Sequence, residues 1–130
     1  MTQEPKHKDT GESLSEVIAQ IPAELPLDAV GIWQIIPTGQ VSFGLSGAAL
    51  ASFVRAAVLA LLDAGAVPVR HIPGTGYDWV RQKQYGESRE EIADAVVQEW
   101  LTIPDDPMLL VGECPWFARP IPGKNYVKLD

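Results

Sequence analysis

The amino-acid sequence predicts an α+β fold: a single domain, a mostly antiparallel sheet built from β-hairpins, and two main helices packed on it. Three observations point there. Serine–glutamate capping signatures at Ser13/Glu16 and Ser88/Glu91 open runs of helically spaced apolar residues. Proline–glycine clusters at 37–39 and 73–76 divide stretches rich in β-branched and aromatic residues, as hairpin turns do. Between these lies a long alanine- and leucine-rich stretch, residues 47–62. The expected order is α-ββ-α-ββ-α-β(β). A parallel three-layer arrangement is the competing reading, and it requires residues 77–84 to be loop or helix.

Residues 1–11 are polar and charged and read as a flexible N-terminal tail, lacking the apolar core of a signal peptide. Residues 12–130 read as the domain. The first helix starts at Ser13, with Leu14, Val17, Ile18 and Ile21 on one face, and Pro22 ends it. Residues 29–36 read as a strand. Pro37, Thr38 and Gly39 then turn the chain, and residues 41–44 return as a shorter strand.

Ser46 is the expected N-cap of the central helix and Gly65 its stop. The polar positions Ser52, Arg55 and Asp63 fall on one narrow stripe, so this helix is expected to be buried on most sides, against the sheet or a second subunit. Residues 67–72 are strand-like. Pro68 has no amide to donate, which favours a sheet edge or a strand start. Residues 77–84 form the partner strand. The last helix runs from Ser88 to about Thr102, with Ile92, Val96, Trp100 and Ile103 facing inward and Ala93, Val97 and Leu101 widening that face. The apolar run 108–112 is expected as an interior strand and 126–129 as an edge strand. Hairpin followed by helix would then occur twice, which raises an internal duplication.

A chain of 130 residues supports one core without needing a metal or disulfide. Seventeen acidic against ten basic side chains give a formal charge of −7, which disfavours nucleic acid. The apolar stretch 47–62 is shorter than the roughly 20 residues a bilayer requires, and Arg55 interrupts it. No membrane association is therefore expected. The single cysteine, Cys114, forms no internal pair, which fits a cytoplasmic setting.

Few residues carry chemical signals. No spacing of His, Cys, Asp and Glu suits a metal, and no cofactor motif is present, since 73–76 is followed by a tyrosine rather than the lysine and helix of a phosphate loop. Cys114 and His71 form a candidate reactive pair if their strands adjoin, although Glu113 beside the thiol opposes thiolate formation. On a strand over 77–85, Tyr77, Trp79, Arg81, Lys83 and Tyr85 share one face, which makes an aromatic and basic surface on an acidic protein. Trp116, Phe117 and Arg119 form a second such cluster, whereas Trp33 reads as ordinary core or interface. The candidate binding residues are Tyr77, Trp79, Arg81, Lys83, Trp116 and Arg119.

The expected function is a small acidic interaction module without catalysis. Its partner would be a protein: a second copy of itself, or a basic protein that it neutralises. The alternative is a small-ligand site or enzyme using a pocket near His71, Cys114 and the Tyr77/Trp79 face.

Overall fold

In a computed structural model that describes residues 4–104, 108 and 112–130, the described residues form four helices and a five-stranded sheet. The α+β class holds. Both capping boxes form as the sequence implies. The Ser13 hydroxyl accepts the Glu16 amide while the Glu16 carboxylate accepts the Ser13 amide, opening α1 (Leu14–Gln20). The α-helix ends before Pro22 as expected, and the chain coils on as a 3₁₀ segment, Ile21–Glu24, whose first turn takes the proline because a missing N–H costs nothing there. The stretch ahead of α1 is exposed but tied down. The Lys8 amide donates to the Ser42 carbonyl at 2.9 Å, and His7 meets Phe43 edge-on with centroids 5.6 Å apart.

The strand expected over 29–36 is only β1 (Val30–Gly31), and the chain then coils into α2 (Ile32–Pro37). Ile32, Ile35 and Ile36 are buried together, a spacing that serves a helix as readily as their branched side chains suit a strand. Gln34 decides the matter locally by accepting the Gly31 amide at 2.8 Å, which caps the new helix. A π-helical turn, Thr38–Ser42, replaces the expected return strand. The first hairpin is therefore absent, and hairpin–helix does not occur twice.

The central helix α3 (Gly47–Asp63) follows. Ser46 is its extended N-cap residue but makes no side-chain cap bond. The C-terminus is closed by the expected glycine. Gly65 has φ +94°, its amide reaches the Leu62 carbonyl, and the Ala66 amide reaches Leu61. Leu50, Phe53, Val54, Ala57, Val58 and Leu61 are buried. The opposite side is wider than a stripe, since Ala48, Ala49 and Ser52 are exposed and Ala56 and Ala60 half-buried.

β2 (Val67–Arg70) and β3 (Trp79–Arg81) pair antiparallel, and α4 (Arg89–Thr102) opens on Ser88. Ile92, Ala93, Val96, Val97 and Trp100 of α4 are buried, whereas Leu101 is 55% exposed. Arg55 of α3 meets Asp94 of α4 at 2.7 Å. The run 108–112, expected as a strand, lies mostly outside the described residues, and its described ends, Met108 and Gly112, are helical. Beyond it come β4 (Trp116–Ala118), unforeseen between its flanking prolines, and β5 (Val127–Lys128), the expected edge strand.

The strand order is β1-β4-β2-β3-β5, antiparallel except for β3 with β5. β2 is thus central, and Pro68 is tolerated as the second residue of its strand rather than at an edge. Alternation divides the sheet's two faces. Phe117 packs into the main core with the helices. Val69, Ala118 and Val127 turn the other way and form a smaller cluster under Trp79, Trp116 and Tyr126.

Candidate functional site

The end of the sheet where β2 finishes and β3 and β4 begin gathers most of the chemistry. The hairpin brings Trp79 back beside β2, and the β2–β4 register places Trp116 opposite Val69. The Trp79 and Trp116 rings lie 5.4 Å apart at 33°. Trp33, at the start of α2, meets Trp116 edge-on at 5.9 Å. Three tryptophans from distant parts of the chain thus make one half-buried row, Trp79 and Trp116 over the smaller core and Trp33 against the main one. Beside them opens a cleft of about 360 Å³, lined by Arg70, His71, Ile72, Trp79, Cys114 and Trp116.

Arg70 is the polar hub of this region. Its guanidinium donates to the Gly112 carbonyl at 3.2 Å, the Tyr85 hydroxyl at 3.0 Å, Glu99 at 3.3 Å, and the Glu113 carbonyl. The Tyr85 hydroxyl in turn donates to Glu99 at 2.7 Å. Burial, with Glu99 as acceptor of its proton, pushes the Tyr85 phenol up to about 12. The guanidinium is already shared among these oxygens, so its first role is to tie β2, α4 and the 112–113 segment together. Arg70, Tyr85 and Glu99 lie 14 to 29 positions apart in sequence, on separate elements, and no local motif announces them.

The candidate binding residues separate. Trp79 and Arg81 share β3 and one sheet face, as expected. β3 ends at Arg81, so the alternation does not run on to Tyr85. Lys83 is exposed in a 3₁₀ turn, Lys83–Tyr85, and Tyr85 is buried, 5% exposed. Tyr77 is half-buried in the hairpin loop, its amide on the Thr75 hydroxyl. Arg119 is elsewhere: its side chain packs by Gly65 at the C-terminus of α3, where a cation complements the helix dipole.

His71 and Cys114 line the same cleft, but their chemistry is muted. Burial, reinforced by the Glu99 charge, pushes the Cys114 thiol up to about 11, against the opposing pull of Arg70. At neutral pH it is a thiol and a poor nucleophile. His71 Nδ1 is 2.9 Å from the Asp78 carbonyl, a bond that braces the hairpin and assigns that nitrogen the proton. Among the described residues, no three His, Cys, Asp or Glu side chains gather as a metal would require, and no helix is long and apolar enough to cross a membrane. The site offers indole faces, an imidazole edge and a shallow volume, which are means of binding. Comparison with family models, curated proteins and solved structures returns no match.

Proposed function

We propose that this chain is a binding module, not an enzyme, and that it takes a protein partner on the tryptophan-lined end of its sheet. The observation that carries the reading is the row Trp33–Trp116–Trp79, each left only half-buried although its ring is large enough to have been buried outright. Tryptophan is the side chain most enriched among residues that dominate protein–protein affinity. The high pKa of the Cys114 thiol speaks against nucleophilic catalysis in the same cleft.

A photo-crosslinking residue at position 79, with position 52 on the exposed side of α3 as control, tests the reading in cells. A discrete crosslinked species from 79 and none from 52 supports it; equal capture from both overturns it. A second copy of the chain is one partner to check. If it is the partner, the mass measured by light scattering doubles with concentration, and Trp116→Ala abolishes the doubling.

The cleft favours a second reading, a small planar ligand. Its volume of about 360 Å³ lies within the range of ligand sites, about 300–1,000 Å³. Native mass spectrometry of protein taken from its own cells separates the two readings. A small-molecule adduct lost in Trp79→Ala supports the ligand, and a bare mass supports the protein partner.

A further inference from the structure

A second cleft opens on the other side of β1, between α1 with its 3₁₀ extension and α2. Its volume is about 380 Å³. Val17, Ile21 and Ile35 give it apolar walls, and the two ionisable groups that line it, Glu24 and Asp28, are both acidic. Both are exposed, and Leu27 between them is 84% exposed.

We propose that this cleft docks a basic, leucine-type segment of a partner protein, with its apolar side chains in the cleft and its lysines or arginines on Glu24 and Asp28. Two features define the occupant. The first is charge: acidic groups flank an apolar trough on a chain of net −7, and no cation among the described residues lines it. Such a surface attracts cationic chains and repels anionic ones. The second is the state of the sheet edge. β1 is an outer strand, and an open edge would invite a partner strand. Here the amides on either side of Val30 are already taken. The Ala29 N–H donates to Asp28 Oδ1 at 2.7 Å, and the Gly31 N–H to Gln34 Oε1 at 2.8 Å. Neither amide is free to donate to an added strand, which favours an occupant recognised through its side chains. This site is distinct from the tryptophan row and does not depend on it.

The test uses a fluorescent peptide of alternating leucine and lysine, read by anisotropy at low salt. Its controls are a serine–lysine peptide, a leucine–glutamate peptide and octylamine. The double variant Glu24→Gln/Asp28→Asn removes both acids, while the amide oxygen of the substituted side chain can still accept the Ala29 N–H. Glu87→Gln/Glu113→Gln makes the same charge change elsewhere. Only the leucine–lysine peptide should bind well, and the cleft variant should weaken it about tenfold while the distant variant leaves it nearly unchanged. Equal loss in both variants means diffuse attraction to an acidic surface and overturns the proposal. So does failure of the leucine–lysine peptide to bind, or octylamine competing at equal affinity, which would make the site one for small amines.

Discussion

At Cys114 the low-polarity surroundings outweigh the neighbouring cation. Arg70 alone would favour the thiolate, yet desolvation and Glu99 raise the thiol from 9.0 to about 11. The shift sets a pH dependence. An acid whose pKa is higher folded than unfolded contributes stability that is complete below pH 9 and is lost as pH climbs from about 9 to about 11, because the unfolded thiol releases its proton first. Urea unfolding should therefore show stability falling across that window, and Cys114→Ala should flatten the fall. Tyr85, raised to about 12, extends it to higher pH. Iodoacetamide should label Cys114 slowly at pH 7 until the protein unfolds, since the residue is 1% exposed. A close approach governs Gly39 instead. A Cβ there would come within 2.7 Å of Leu50 and 2.8 Å of Phe53, both in the core. Gly39→Ala should cost about 1–3 kcal/mol by overpacking, read as a lowered urea midpoint.

Elements whose ends carry their own signals are legible in the sequence. Ser13 and Ser88 satisfy orphan amides within three residues, so α1 and α4 begin where the capping residues say. α2 is hidden because isoleucine and tryptophan suit strands, and its one local helical clue, Gln34 reaching back to Gly31, is half a capping box without the Ser or Thr that would announce it. β4 is three residues long between Pro115 and Pro120, too short to display alternation, and only its neighbours β1 and β2 make it a strand. The ties between elements divide by burial. Arg89 bridges α4 to Asp63 of α3 at 2.6 Å, but with the side chains 42% and 55% exposed water competes for both charges. Arg70 and Glu99 are 25% and 34% exposed, and Arg70 also holds two carbonyls and Tyr85. Arg89→Ala should thus leave stability nearly unchanged. Arg70→Ala, which leaves Glu99 with the Tyr85 hydroxyl but without its cation and unties β2, α4 and the 112–113 segment, should cost about 1–3 kcal/mol. Chemical denaturation of the two variants gives the comparison, and equal costs would mean the Arg70 network is no more than a surface pair.

Across the whole molecule, the sheet is two-sided in an unequal way. One face carries Phe117 into the core made with α3 and α4, and the other carries the smaller set Val69, Ala118 and Val127, with Ala29, beneath Trp79, Trp116 and Tyr126. Sequence alone singles out Trp79 and Trp116 and leaves Trp33 as ordinary core or interface. What joins the three is strand order, a long-range property that no window of sequence displays. The asymmetry allows fold and binding to be separated. Phe117 is fully buried, so Phe117→Ala removes a central side chain and should cost about 3–5 kcal/mol. Trp79 is half-buried, and Trp79→Ala should cost about 1–2 kcal/mol while removing the crosslink captured from the tryptophan face. Urea midpoints for the two variants, with crosslinking from position 33 in the Trp79→Ala background, measure both quantities together. If Trp79→Ala proves as costly as Phe117→Ala, the indole's task is to close the second core. The row of tryptophans is then roof and not recognition surface.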